Sequence, residues 1–237
     1  MKYRFTAVLL LLIFHFGFSQ SAADFQGAYE MKEGSVTHML IFSDEYYVHS
    51  AYDLPGKKFV KTEGGPFRLE NKNLTIKMEF NSEQKELVDS IFTFPITIGA
   101  DFIEVSHSGH KMKFTQVDNG KGSLVGSWQI SGRMQQGKFS PMPAGARKTL
   151  KILTGSRFQW IAFNASTKEF FGTGGGSYTY QSGNYTEKIE FFPRDSTRVG
   201  STLSFADRTE DGEWYHTGKS STGEALFEVW KKASLIN

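Results

Sequence analysis

Two glutamates stand at matching places in the two halves of the sequence, and each follows a lysine by two residues. The pairs are Lys77 with Glu79 and Lys188 with Glu190. Because side chains alternate between the two faces of a strand, each lysine shares a face with its glutamate. A carboxylate there could serve as a general base, but no second acid, histidine or nucleophile recurs beside both. A salt-bridged or cross-strand pair is therefore favoured, and an inward face would make it a polar anchor for a ligand.

The histidines offer one spacing that resembles half of a metal site, His107-Ser108-Gly109-His110. Imidazole is a common metal ligand, yet Ser-Gly at the centre indicates a turn between strands, and the second half of the chain has no such pair. His38 and His49 add no recognisable spacing. The chain contains no cysteine, which excludes thiolate-ligated metals and disulfide frameworks. We expect neither a metal nor a cofactor.

Short patterns that resemble the motifs of nucleotide-binding and hydrolytic enzymes lack the flanking residues or elements that those motifs need. The glycine-rich run 172–176 is not followed by the helix that a dinucleotide fingerprint needs. Gly218-Lys219-Ser220 lacks the upstream glycine of a phosphate loop, and no G-x-S-x-G elbow occurs. No catalytic residue is predicted, and whether the protein is an enzyme is left open, leaning towards no.

The first 23 residues have the three parts of a secretory signal peptide. Two basic residues precede the apolar run 5–18, and the small and polar run 19–23 follows it. The apolar run is too short to cross a bilayer, which takes about 20 residues. We expect residues 1–20 to be a signal peptide cleaved after Gln20 or Ala23, and the mature protein to be periplasmic or secreted. An N-terminal anchor is the alternative.

The small positive charge of the chain lies in that first segment. The sequence has 27 basic and 25 acidic residues. Lys2 and Arg4 are the only charged residues among the first 20, which leaves a mature chain with 25 of each sign. Without a basic stripe, nucleic-acid binding and charge attraction to a membrane surface lose their support. No later segment is a candidate membrane span, so we expect none in the mature chain.

The chain contains an internal duplication. A shift of 111 residues lays 41–94 on 152–205 without a gap, and 15 of the 54 pairs are identical. Chance rarely aligns glycines, turns and apolar positions together, so the pattern indicates a repeated structural unit. We expect a first domain over 24–117, a linker over 118–123 and a second domain over 124–232.

Each unit has the pattern of an antiparallel β-protein. Leu74, Ile76, Met78 and Phe80 alternate with polar residues, and the second copy repeats this period of two at residues 185–191. Turn-forming residues separate many short segments of this kind, and no long stretch shows a helical period. An all-β barrel or sandwich is therefore expected.

The second unit resembles the lipocalin-like domains of an exported bacterial protein family of unknown function. The resemblance is carried by Gly126-Ser127-Trp128 at its start, by the run from Phe171 to Gly200, and by Val229-Trp230 at its end. It implies two tandem antiparallel β-barrels related by duplication, and an exported protein. The first half is a diverged copy, with Tyr29 in place of the tryptophan.

A small barrel can enclose one small molecule or be filled by its own side chains. We predict a ligand cavity in the second barrel, because that unit carries aromatic side chains for its wall and charged or polar ones to orient a ligand. The alternative is that the aromatic residues only fill the core. The predicted ligand-binding residues are Arg157, Trp160, Tyr178, Tyr180, Glu190, Trp214 and His216.

An insertion at 131–149, inside the second unit, has no counterpart in the first. It is expected to be a lid over the barrel or a surface for a partner, because methionine adapts to varied apolar contacts and the basic residues could bind an anion. A tolerated surface insertion is the alternative. Its candidate residues are Arg133, Met134, Phe139, Met142, Arg147 and Lys148.

The leading hypothesis is a non-enzymatic exported protein that binds a small, partly apolar ligand, chiefly through the second barrel. The second hypothesis is an interaction protein whose 131–149 loop contacts an envelope protein or another copy of the chain. A hydrolase or isomerase acting on a lipid-like or sugar-like substrate is the third. It needs an acid and a base on one face, and the sequence displays no clear pair.

Overall fold

The computed structural model describes residues 25–135, 137–143 and 145–233, so the predicted signal peptide lies outside the described residues. The chain is all-β, with 67% of it in strands and 3% in helices, and it forms two closed eight-stranded antiparallel β-barrels in tandem. The predicted fold class, an all-β protein of two duplicated lipocalin-like barrels, is confirmed.

The first barrel is an antiparallel meander that closes on itself. Its strands run in the order β3-β2-β1-β9-β8-β7-β5-β4, and pairing of β4 with β3 closes the ring. The short β6 pairs with β4 alone. The strands are β1 Gly27–Glu33, β2 Val36–Ser43, β3 Tyr46–Asp53, β4 Lys58–Glu70, β5 Asn73–Lys77, β6 Phe80–Asn81, β7 Ile91–Ile98, β8 Phe102–His107 and β9 His110–Asp118.

The second barrel repeats this order and adds one hairpin. Its strands follow the sequence from β12 to β18, and β10 closes the ring by pairing with both β12 and β18. The extra strand β11 pairs with β10. The strands are β10 Gly126–Gln135, β11 Lys138–Pro141, β12 Arg147–Leu153, β13 Arg157–Asn164, β14 Glu169–Gln181, β15 Asn184–Phe191, β16 Thr202–Glu210, β17 Glu213–Lys219 and β18 Ala225–Lys232.

Strand register shows which positions of the two barrels correspond. Phe42 faces Tyr47 across β2 and β3, as Leu153 faces Phe158 across β12 and β13. The same agreement holds at the last two strands of each barrel, where Ile103 pairs with Phe114 and Trp214 pairs with Trp230. Each inward position of one barrel therefore has a counterpart in the other.

A glycine repeated in both halves permits a close approach of two strands. A Cβ on Gly65 would lie 1.9 Å from the carbonyl oxygen of Lys77, and one on Gly176 would lie 2.1 Å from that of Lys188. No side chain fits at such distances. These glycines allow the long strands β4 and β14 to bend against the next strand, as a small barrel requires.

The two barrels share an apolar interface made by outward-facing side chains. Phe80 of the first barrel lies 5.3 Å from Phe163 of the second, and Tyr52 lies 4.9 Å from Phe191, measured between ring centroids. Polar contacts within this interface include a 2.6 Å hydrogen bond from Ser50 to the side chain of Gln159. The interface thus buries a second face of several strands, which explains their nearly continuous apolar sequences.

Asp118 ties the connector to the second barrel. Its carboxylate accepts hydrogen bonds from Thr154 Oγ1 at 2.7 Å, from the backbone N–H of Gly155 at 2.9 Å and from Ser156 Oγ at 2.8 Å. These donors belong to the turn between β12 and β13. The predicted linker thus begins with a residue that holds that turn in place.

Candidate functional site

Inward-facing aromatic side chains form a packed cluster inside the second barrel. The fully buried Trp214 lies 5.6 Å from Trp128, 5.7 Å from Tyr185 and 6.0 Å from Trp230, measured between ring centroids. Tyr178 is also buried and donates a hydrogen bond to the backbone carbonyl of Thr154. The structure therefore packs two of the predicted wall residues, Trp214 and Tyr178, against the same ring, that of Tyr185.

Ionisable side chains are enclosed among these rings. Lys151 is ion-paired with Glu187, and its ammonium lies 4.8 Å from the ring centroid of Tyr185 and 5.2 Å from that of Trp214. His216 Nδ1 lies 2.9 Å from a carboxylate oxygen of Asp207.

Burial disfavours the charged forms of both Asp207 and His216. It raises the pKa of Asp207 to about 7 and lowers the pKa of His216 well below its usual range. The paired groups and their cation–π contacts make this cluster part of the packed core.

Arg157 and Glu190 lie outside the lumen of the second barrel. Their neighbours in sequence, Phe158 and Ile189, point inward, so alternation along the strands turns these two outward. Arg157 Nη1 lies 2.6 Å from Glu190 Oε1, and Tyr52 of the first barrel donates to the same carboxylate at 2.7 Å. The structure places the pair between the barrels, where it joins one to the other.

The matching glutamate of the first barrel has the same role. Glu79 accepts hydrogen bonds from Tyr46 Oη and from Lys148 Nζ of the second barrel, both at 2.9 Å. Lys77 pairs instead with Asp89. The duplicated carboxylates are thus salt-bridged, with partners that differ from the lysines two residues earlier.

The remaining predicted wall residues, Trp160 and Tyr180, are partly buried and pack against the core of the second barrel. A Cβ on Gly174 would lie 2.7 Å from Trp160 Nε1, so the indole occupies space that a side chain there would need. For all seven predicted ligand-binding residues, contact with a ligand stays a prediction.

The first barrel contains a cavity of about 380 Å³, within the usual range of small-molecule sites. Its wall is largely apolar, and polar side chains gather at one side. The apolar lining residues are Leu40, Tyr47, Leu74, Ile76, Met78, Leu87, Phe92, Phe94, Val105, Met112 and Phe114, and the polar ones are His38, His49, Lys61, Glu63, Asn81, Glu83, Gln84 and His107.

A chain of hydrogen bonds links the polar lining residues. His38 Nδ1 lies 3.1 Å from His49 Nε2, and His49 Nδ1 lies 3.0 Å from Glu63 Oε1. Glu63 also accepts from Lys61 at 3.0 Å and from Asn81 at 2.8 Å. We call the chain Glu63–His49–His38 the histidine relay.

The environment fixes the ionisation of this relay. Burial by itself would raise the pKa of Glu63, but the hydrogen bonds and charges of His49 and Lys61 outweigh it and lower that pKa to about 2. Burial lowers the pKa of His38, and the charges of His49 and Lys61 lower it further, against an opposing effect of Glu33. Near neutral pH, Glu63 is a carboxylate and His38 is a neutral imidazole.

One proton position follows from these bonds. The Glu63 carboxylate can only accept, so His49 carries a proton on Nδ1. His38 Nδ1 and His49 Nε2 share one hydrogen bond, in which either ring can be the donor. His38 Nε2 lies 3.5 Å from an oxygen of the Glu33 carboxylate.

Sequence reasoning missed this relay because the contacts depend on register. His49 pairs with Leu40 across β2 and β3, which makes His38 its diagonal neighbour, and it pairs directly with Glu63 across β4. The alternation of β2 and β3 around a two-residue turn is the signal that could have joined the two histidines.

The two barrels carry their inward-facing ionisable groups at different corresponding positions. At the relay, His49, Glu63 and Lys61 of the first barrel correspond to Trp160, Gly174 and Gly172 of the second. Deeper inside, the first barrel is apolar where the second is charged. The corresponding pairs are Leu40 with Lys151, Ile76 with Glu187, Ile96 with Asp207, Val105 with His216 and Met112 with Glu228.

The insertion forms the β10–β11 hairpin on the second barrel. Met134 faces Phe139 across it, and the Phe139 side chain is half exposed. Arg133 pairs with Glu228 at 3.0 Å, and the Arg147 guanidinium lies 4.4 Å from the ring centroid of Phe171. The other candidates of this segment are Met142, which is exposed, and Lys148, which binds Glu79. No described residue of 131–149 lines the first-barrel cavity.

A second concavity, of about 450 Å³, lies where the turn after β6 meets the turn before β14. Charged and polar residues of 81–86 and 167–169 make up most of its surface, beside Phe170 and Phe171. Its lining is mostly charged and polar, whereas the first-barrel cavity combines a largely apolar wall with the histidine relay, so the first-barrel cavity is the better candidate site.

Among the described residues, no group of three or more histidines, aspartates or glutamates is placed to hold a metal ion. Within the same part of the chain, no helix has the length and apolar character needed to cross a bilayer. The sequence matches no protein-family model and no curated protein.

Proposed function

We propose that this protein is an exported binding protein, without catalytic activity, that holds a small and partly apolar ligand in the cavity of its first barrel. The observation that carries the proposal is the cavity itself, which combines an apolar wall with hydrogen-bonding groups on one side. Burying apolar ligand surface there supplies affinity, at roughly 25 cal/mol per Å². The polar groups supply orientation.

The contrast between the barrels favours the first barrel over the second as the binding unit. At five corresponding positions the first barrel has apolar side chains where the second has buried charged or titratable ones. A duplicated fold in which one copy keeps an open lumen and the other is filled is consistent with a division between binding and support.

A matched pair of substitutions tests the site. Ile76 is buried and lines the cavity, and Ile91 is exposed on the neighbouring strand. We expect Ile76→Phe to reduce binding of an apolar fluorescent probe at least tenfold, because the added ring occupies the lumen, while Ile91→Phe binds as the wild type does. Both variants are checked for thermal unfolding. Equal binding by the wild type and a folded Ile76→Phe would contradict the proposal.

Export rests on the basic start, short apolar run and small-residue exit of the first 23 residues. N-terminal sequencing of the protein recovered from its host tests it directly. A first residue of Ser21 or Asp24 is expected, and a chain that still begins at Met1 would contradict export through a cleaved signal peptide.

A further inference from the structure

We propose that the ligand of the first barrel is an amphiphile with an acidic head group, held as its anion by Lys61 while His38 takes up one proton. The inference rests on the proposed function and narrows it to a class of ligand. Both side chains line the polar side of the cavity, with the apolar wall beside them. An apolar body and an acidic head group match these two parts of the site.

The histidine relay gives His38 a place to receive a proton. A neutral imidazole has one ring nitrogen without a proton, and in His38 that nitrogen can accept one. The added proton creates an imidazolium next to His49, and the Glu63 carboxylate at the far end of the relay stabilises that positive charge. The carboxylate is itself held by three donors, which keeps it ionised.

Lys61 supplies the cation for the head group. Its ammonium has three donors, one of which is directed to Glu63 at 3.0 Å, and its side chain is partly exposed. The other donors remain for a carboxylate or phosphate oxygen that enters the cavity. Charge-assisted bonds of this kind are about twice as strong as neutral ones.

The groups around His38 determine whether ligand affinity rises or falls with pH. Glu33 is the nearest competitor for the His38 proton, and its side chain is 80% exposed, so solvent screens its charge. The titratable and charged groups facing this part of the cavity are Glu33 at the end of β1, His49 on β3, Lys61 and Glu63 on β4, Glu83 after β6 and His107 at the end of β8.

A bound anion beside His38 favours the imidazolium and therefore raises the pKa of His38 from its lowered value in the free protein. Between those two pKa values, binding takes up a proton. Affinity consequently increases as pH falls through that window, by up to about tenfold per pH unit for one proton. Above the window no proton is taken up and the affinity is independent of pH.

Three probes with the same apolar chain separate the head groups: decanoic acid, decan-1-ol and decylamine, titrated calorimetrically into the wild-type protein. We expect decanoic acid to bind at least tenfold more tightly than the alcohol or the amine at pH 7. Equal or tighter binding of the alcohol or the amine would overturn the proposal of an acidic head group, while the proposal that the cavity binds a ligand would stand. Failure of all three to bind would overturn the proposed function as well.

Proton uptake is measured by repeating the decanoic acid titration in two buffers of different ionisation enthalpy. We expect uptake of up to one proton per bound molecule in the wild type, its loss in His38→Gln, and its retention in His110→Gln, an exposed histidine outside the cavity lining. We expect Lys61→Met to weaken the binding of decanoic acid by about tenfold or more and to change the binding of decan-1-ol little. Binding without proton uptake by the wild type, or uptake that persists in His38→Gln, would overturn the role of His38.

Discussion

The polar atoms of the histidine relay have hydrogen-bond partners. Glu63 accepts from His49 Nδ1, and His49 Nε2 shares a hydrogen bond with His38 Nδ1. Buried polar groups that are fully partnered hold a fixed geometry. The same is true between the barrels, where Glu79 and Glu190 each receive a tyrosine hydroxyl and a basic side chain.

At this scale, the relay predicts how stability depends on pH. The pKa of Glu63 falls from 4.5 in the unfolded chain to about 2 in the folded one, so its carboxylate stabilises the fold above pH 4.5. That contribution is lost as pH falls from 4.5 towards 2. We expect Glu63→Gln to lower the free energy of unfolding by about 3 kcal/mol at pH 7.

Urea unfolding of the wild type and Glu63→Gln at pH 7, 5, 4 and 3 measures this difference. The gap between the two proteins should stay constant down to about pH 5 and then narrow. A gap that stays the same down to pH 3, or one that widens, would show that the Glu63 carboxylate does not contribute in the predicted way.

At the scale of elements, the period of two in the sequence was sufficient to predict strands and their repetition. It was not sufficient to predict which side chains meet. Arg157 and Glu190 were expected inside the second barrel, and the structure places them between the barrels, since the neighbours Phe158 and Ile189 take the inward positions. A shift of one residue in register exchanges the two faces of a strand.

The histidine relay illustrates the same limit. Its residues come from β2, β3 and β4, and no short segment of sequence contains more than one of them. Only the pairing of His49 with Leu40 on one side and with Glu63 on the other brings them together. The sequence predicted an insertion at 131–149 without predicting that it contains the β10–β11 hairpin, and its expected relation to a ligand was tied to a cavity in the second barrel.

At the scale of the whole molecule, two copies of one fold share an apolar interface and differ in their interiors. Apolar residues on the outer faces of β2, β3, β12 and β13 pack against each other, including Ile41, Val48, Ile152 and Ile161. These outer faces explain why strands of both barrels are apolar on two sides. The chain has 22 Phe, 9 Tyr and 4 Trp, and many of those in the described residues pack in the two barrel interiors and in the interface between them.

Methyl-resolved NMR of the full protein during titration with decanoic acid tests most directly whether the first barrel is the binding unit. We expect shifts of the methyl groups that line the first cavity, at Leu40, Leu74, Ile76 and Met112, with little change at Ile130, Leu153 and Ile189 in the core of the second barrel. Shifts confined to the second barrel, or no shifts in either barrel at saturating decanoic acid, would contradict this expectation.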